Sequence, residues 1–302
     1  MASEELKAAL AILADMRGDS GFMEDGFDIE KVRQFMRGAE VEAPEGATVE
    51  IVDAGGVAAE WVCDRDASPT ARLVHFHGGG YVCGGPFSHR ALAAALSEVS
   101  GCAVLVPDYR LGPEHPFPAA VQDGVTAYEW MRENGPGGAG ECEHSYIGGD
   151  SAGGGLTLAT MLALRDEGRP LPDAAYTISA YADLSHSGES VRTRAEVDPL
   201  IGPSILPAMA SAYLDGADAR NPLASPVFGD PRSFPPLLVQ VGDAEILLDD
   251  STRFAESARR AGVDVTLEVW PEMFHCWHTF AAMLPEGSEA TQRIGEFLRS
   301  HR

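Results

Sequence analysis

The chain has 302 residues, 45% hydrophobic and 23% charged, ordinary values for a globular protein with a large buried core. Its 22 Lys+Arg against 46 Asp+Glu leave a formal charge of −24, which repels phosphate backbones and anionic lipid and so argues against nucleic-acid or membrane-surface partners. Five widely spaced cysteines (Cys63, Cys83, Cys102, Cys142, Cys276) form no C-x-x-C, so neither a zinc cluster nor a disulfide scaffold is expected.

Residues 1–40 read as helical. Leu6, Leu10, Ile12, Leu13 and Met16 are spaced for one helical face, and Ile29, Val32, Phe35 and Met36 for another, with Phe22, Met23 and Phe27 in a breaker-rich stretch between. The N-terminus carries Glu4, Glu5 and Asp15 and no basic leader. No apolar run approaches the roughly 20 residues of a membrane helix. A soluble cytoplasmic protein is expected.

Strands follow. Thr48–Val52 and Ala58–Val62 flank Gly55-Gly56 as a hairpin. Leu73–Phe76, Ala103–Val106, Tyr146–Ile147, Tyr176–Ile178, Leu237–Val241 and Val265–Trp270 are short apolar runs, most without alternation, as strands covered on both faces read. Helical stretches (His89–Val99, Ala119–Arg132, Gly155–Arg165, Ser251–Ala261, Ala290–Leu298) alternate with them. That rhythm predicts an α/β fold with a mostly parallel sheet covered by helices. Residues 185–216, with Pro199, Pro203 and Pro207, are too long for an ordinary crossover and read as an insertion. The expected division is residues 1–45 as an N-terminal helical cap segment, 46–184 with 217–302 as the catalytic domain, and 185–216 as a second cap segment.

Gly149-Asp150-Ser151-Ala152-Gly153 is G-x-S-x-G between a short strand and a helix, the context that lifts a serine hydroxyl above a sheet edge. His77-Gly78-Gly79-Gly80 follows the strand Leu73–Phe76. Consecutive glycines present backbone N–H groups without side-chain obstruction, as an oxyanion site requires. Gly78, Gly79 and Ala152 are the expected donors. His75 and His77, two apart, have no third ligand nearby, so no metal and no cofactor are expected.

A serine nucleophile needs a base and a carboxylate that orients it, and on this architecture both follow late strands. Candidate acids are Asp243, Glu245 and Asp249, and candidate bases are His275 and His278. Asp249 and Asp250 with Ser251 read as a helix start, where carboxylates cap amides. His278 reads as a packing or surface residue.

Together, HGGG, GDSAGG, an acid and a late histidine resemble the hormone-sensitive-lipase-like branch of the α/β-hydrolases, the bacterial family IV carboxylesterases. Asp108-Tyr109-Arg110-Leu111-Gly112-Pro113-Glu114-His115-Pro116-Phe117-Pro118-Ala119-Ala120 is similar to that family's D-Y-R-L-A-P-E-x-x-F-P-A-A, with Gly112 in place of Ala. Arg110 and Glu114 are expected to hold the loop beneath the oxyanion site. The resemblance implies an α/β-hydrolase fold with a helical cap. It also implies Ser151 as nucleophile, His275 as base, and hydrolysis of short-acyl esters through an acyl-enzyme. Where the family has D-P-L-x-D-E this chain reads Glu245-Ile246-Leu247-Leu248-Asp249-Asp250, which puts Glu245 on the acid, 30 residues before His275, with Asp243 as runner-up. Ala180-Tyr181-Ala182-Asp183-Leu184 resembles S-P-W-x-D-L without its Pro; Tyr181 is expected to line the acyl pocket and Asp183 to brace the loop. Lactone hydrolysis or natural-product deacetylation by the same triad is the alternative. A non-catalytic small-molecule receptor on this fold is a remote one, because such receptors lack the histidine that stands here at 275. The expected partner is a small-molecule ester, with a homodimer through the last strand as an option.

Overall fold

The structure, a computed structural model, describes residues 3–20, 28–38 and 42–302. Phe22, Met23 and Phe27, and the side chains of Met16 and Phe35, lie outside what is described. Two helices open the chain, α1 (Glu4–Ser20) and α2 (Ile29–Gly38). The strands β1 (Ala47–Asp53), β2 (Ala58–Asp64), β3 (Ser68–Phe76), β4 (Cys102–Pro107), β7 (His144–Asp150), β8 (Ala174–Ile178), β9 (Leu237–Gly242) and β10 (Val265–Trp270) build one eight-stranded sheet. Its order is β1-β2-β4-β3-β7-β8-β9-β10, antiparallel at β1/β2 and β2/β4 and parallel at every other pairing. A two-residue hairpin, β5 (Asn134–Gly135) with β6 (Gly138–Ala139), lies outside it and carried no apolar pattern to announce it.

The two faces of the sheet are covered by different helices. Val74, Phe76, Leu105, Ile147 and Val239 face the side packed by α4 (Ala119–Glu133), α5 (Ala152–Asp166) and α8 (Leu248–Arg260). Their chain neighbours Leu73, Val104, Val106, Tyr146 and Leu238 face α3 (Pro86–Ser100) and α9 (Pro285–Arg299). Successive strand residues point to opposite faces, so a strand buried on both must be apolar throughout. That explains the unbroken apolar runs of the central strands.

Three expectations need correction. Val265–Trp270, grouped with strands covered on both faces, is partly exposed along its length, with Val269 42% exposed, at the sheet edge that a homodimer through the last strand requires. Among the described side chains of α1, Leu6, Ala9 and Leu13 are buried in a core and Leu10 packs partly buried against it, whereas Ile12 is 40% exposed. Ile12 adjoins Leu13 in sequence, and one residue turns a helix by about 100°, so the two cannot share a narrow stripe. Asp249 and Asp250 do not cap their own helix. Asp249 Oδ2 accepts from Ser190 N at 2.9 Å, and Asp250 Oδ2 accepts from Ala182 N (2.9 Å) and Asp183 N (2.8 Å).

Residues 185–216 leave the sheet between β8 and β9 and contain α6 (Ser190–Thr193) and α7 (Ile205–Leu214). Met209 and Ala212 of α7 join Ile29, Val32 and Met36 of α2 against Val82 and Cys83, just past the HGGG loop. Arg33 ties α2 to the same place. It donates to Val82 O (2.8 Å) and Gly112 O (2.9 Å) and forms a bidentate pair with Glu114 at 2.6 and 2.7 Å. Arg33→Ala is therefore expected to cost on the order of 1–2 kcal/mol, since the pair is partly solvated while the two carbonyl bonds are sheltered. A lower urea midpoint, with faster amide exchange confined to α2, would show it.

Candidate active site

β7 ends at Asp150 and α5 begins at Ala152, so Ser151 alone makes the turn, with φ 52° and ψ −120°. Glycine flanks are obligatory. A Cβ at Gly153 would collide with Phe76 O, and one at Gly149 with the backbone of Gly153. Ser151 O accepts from Tyr181 N (2.8 Å) and Ser151 N donates to Ile178 O (2.9 Å), so β8 and its following loop hold the strained residue in place. Ser151 Oγ has no hydrogen-bond partner among the described residues.

The HGGG loop lies directly over this turn, where a Cβ at Gly78 would stand 3.2 Å from Ser151 Cβ. The N–H of Gly78 lies 3.1 Å from His89 Nε2, a nitrogen that also faces Asp150, so His89 accepts from this amide only as the tautomer bare at Nε2. The N–H groups of Gly79, Gly80 and Ala152 have no acceptor among the described residues. His77 donates from Nδ1 to Gly78 O (2.8 Å) and stacks on Tyr109 at 4.2 Å, and burial lowers its pKa to about 3, so it supports the loop as a neutral ring. Beneath lies a buried cluster that no sequence spacing indicated. His75 bonds Tyr176 OH (2.7 Å) and Asp150 Oδ1 (3.1 Å), while His89 Nε2 lies 3.2 Å from the same Asp150 oxygen. Both nitrogens of His75 are thus engaged by protein groups. Burial pushes Asp150 up, but His89 and His75 outweigh it and hold the carboxyl well below its usual range.

His275 follows β10 and is 4% exposed, with Nδ1 2.8 Å from Glu245 Oε2. Glu245 sits in the turn after β9 and is fully buried, its other oxygen accepting from Gly242 N (2.7 Å) and Ser179 Oγ (2.8 Å). Burial lowers the His275 pKa, but the bond to Glu245 and the charges of Glu245, Asp198 and Asp150 exceed it, and the net direction is up. Asp243 bonds Glu272 N (2.7 Å) and has no bond to His275. His278 is buried on Gln240 (2.7 Å), its pKa lowered to about 3 by desolvation. Cys276 Sγ lies 3.4 Å from His275 Nε2; burial drives that thiol's pKa well above its usual value.

Arg110 and Glu114 do not pair with each other. Arg110 grips Asp123 at 2.8 Å, and Glu114 grips Arg33. Tyr181 is 1% exposed, and its hydroxyl meets His186 Nε2 (2.6 Å) and Leu206 O (3.2 Å), both in residues 185–216. Asp183 accepts from Ser185 Oγ, Ser187 Oγ and Arg253. Ser179 and Asp198, like His89, went unread because each meets the site only through folding.

A strand–Ser–helix turn on a mostly parallel sheet, under a glycine loop and near a paired carboxylate and imidazole, defines an α/β-hydrolase. Residues 73–279 match the Abhydrolase_3 family, described as an alpha/beta hydrolase fold. The chain is 48% identical over 254 residues to an acetyl-hydrolase of Streptomyces hygroscopicus, covering 83% of this chain and 82% of that one. It is 36% identical over 260 residues to an esterase of Acinetobacter venetianus (85% and 84% covered). Among solved structures it superposes on an esterase/lipase from an uncultured bacterium with TM-score 0.92, 42% identity and 99% of each chain covered. It also superposes on an esterase of the bacterial hormone-sensitive lipase family with TM-score 0.92, 39% identity, and 100% of this chain and 99% of that one covered. The chain belongs to the Abhydrolase_3 family of α/β-hydrolases, in its bacterial hormone-sensitive-lipase-like branch, and is an enzyme of the carboxylesterase class. Among the described residues no helix is long and apolar enough to cross a membrane.

Proposed function

We propose that the protein hydrolyses small-molecule esters of short acyl chains, with Ser151 as nucleophile, His275 as base and Glu245 as the acid that orients it. The 2.8 Å contact between Glu245 and His275 Nδ1 carries this reading, because it leaves Nε2 to take the serine proton. Ser151 Oγ attacks the acyl carbon while its proton passes to His275 Nε2. The imidazolium then protonates the leaving alkoxide, and water repeats the sequence on the acyl-enzyme. Donors for the oxyanion are the N–H groups of Gly78, Gly79 and Ala152; those of Gly79 and Ala152 have no other acceptor among the described residues. Tyr181, whose N–H donates to Ser151 O, is assigned to the acyl side. The N-terminal helices and residues 185–216 form the cap.

Short chains are favoured by the tight cover. A Cβ at Gly80 would collide with Met209 of α7, and Tyr81 stacks on Tyr213 at 4.3 Å. A crystal structure of EstE5, 42% identical, was soaked with p-nitrophenyl butyrate, a short-acyl ester. The 48% identity to an acetyl-hydrolase favours deacetylation of a small natural product as the second reading.

Cys276 is the rival nucleophile by position, but its raised pKa leaves little thiolate, and it does not occupy the strand-to-helix turn that carries Ser151. A fluorophosphonate probe is expected to label Ser151 stoichiometrically and to label Cys276→Ala equally, as read by peptide mass spectrometry. A p-nitrophenyl ester series is expected to peak at two to four acyl carbons. Inertness toward the probe would leave the receptor reading standing.

A further inference from the structure

Residues 185–216 do more than cover the site, because they grip the turn that carries Glu245. Asp198 is 2% exposed. Its Oδ1 accepts from Leu200 N (2.9 Å) and Ile201 N (2.8 Å), and its Oδ2 reaches out of its own segment to accept from Ile246 N (2.9 Å). Ser190 holds the other side of the same residue. Its Oγ donates to Ile246 O (2.7 Å) and accepts from Asp249 N (3.0 Å). The segment comes so near that a Cβ at Gly188 would lie 2.8 Å from Asp249 Cβ. Both backbone groups of Ile246, the residue directly after Glu245, are therefore held by this one segment. The turn cannot shift without breaking bonds in a fully buried place, where each unmet polar group is costly.

We propose that Asp198, with Ser190, is a positioning residue for the acid–base pair: it fixes the Glu245 turn at the distance His275 needs and adds its buried negative charge to those of Glu245 and Asp150 near the imidazolium formed during turnover. Resting on the Ser151–His275–Glu245 reading, it assigns residues 185–216 a role in setting the catalytic carboxylate. The extra anchor suits a glutamate, whose additional methylene gives more freedom than an aspartate has. Around His275 the titratable groups are Glu245 on the turn after β9, Asp198 on residues 185–216, Asp150 at the end of β7, and the Cys276 thiol beside it. Asp198 and His275 act on each other through charge. The aspartate favours the protonated ring, and the ring together with the three N–H donors opposes the rise that burial imposes on Asp198.

The test is the pH profile of kcat/KM on p-nitrophenyl butyrate for the full chain, Asp198→Asn, Ser190→Ala and Glu245→Gln. His275 must be neutral to act, so removing a charge that favours its protonation moves the acid limb to lower pH. For Asp198→Asn the expected result is a limb lowered by about half a unit and kcat reduced about tenfold, with KM within twofold. Ser190→Ala, which removes no charge, is expected to lose about threefold in kcat with its limb in place. An unmoved limb in Asp198→Asn overturns the electrostatic role whatever happens to kcat. If Asp198→Asn fails to fold, Ser190→Ala decides, and full kcat there overturns the clamp. Glu245→Gln separates the two levels. Near-full activity in it removes the triad reading, while a severe loss in it beside a silent Asp198→Asn removes only the present inference.

Discussion

Ser151→Ala is expected to abolish turnover of p-nitrophenyl butyrate, with kcat lowered on the order of 10^5–10^6-fold. The loss is that large because the nucleophile and its base act as a unit, and a ring that finds no hydroxyl contributes nothing. The fold is expected to persist. Ala keeps the Cβ that Ser151 already places at φ 52°, so the turn gains no new strain. Ser151 Oγ also has no partner among the described residues, so its removal leaves no orphaned bond. The urea midpoint should match that of the parent while fluorophosphonate labelling disappears. Activity within tenfold of the parent would point to another nucleophile, with Cys276 the first to examine.

Glu245→Gln is the second large effect, expected on the order of 10^3–10^4-fold in kcat. The amide oxygen can still accept from Gly242 N and Ser179 Oγ, so the turn keeps two anchors. Its NH2 then faces His275 Nδ1, which must become the acceptor. The ring proton moves to Nε2, the nitrogen that should receive the serine proton. The residual activity should also shift in pH. Of the groups that raise the His275 pKa, Glu245 is the strongest, through its hydrogen bond and then its charge. In the parent the acid limb should therefore lie above the ordinary imidazole value of about 6.5, and in Glu245→Gln below the parent's limb. Asp243→Asn should change kcat less than threefold, because that carboxylate is spent on Glu272 N. A severe loss in Asp243→Asn alone would reassign the acid.

Most of the element order could be read along the chain, because strands buried on both faces leave unbroken apolar runs. Boundaries were harder. β3 runs from Ser68, not from Leu73, since its first residues pair with the chain yet carry polar side chains. α5 begins at Ala152, before the periodic pattern starts, because it is launched by the glycine turn. β10 shares the apolar composition of the buried strands yet lies at the edge that a homodimer through the last strand requires. An apolar strand does not record whether a ninth strand lies beside it.

The sequence alone settled what short-range backbone chemistry controls. Glycines at 149 and 153 mark where chains approach too closely for a Cβ, the triple glycine after β3 marks a loop of bare amides, and a serine between strand and helix marks the turn. Each rests on neighbours a few residues apart. Only the tertiary structure brought His89, eleven residues away, against the glycine loop. It closed the contact between Glu245 and His275 that the resemblance implies, and set Asp198 behind that turn. These depend on side chains far apart in sequence meeting in a buried space, where an ionic or hydrogen-bonding group must find a partner. Linear spacing carries no record of which partner it finds.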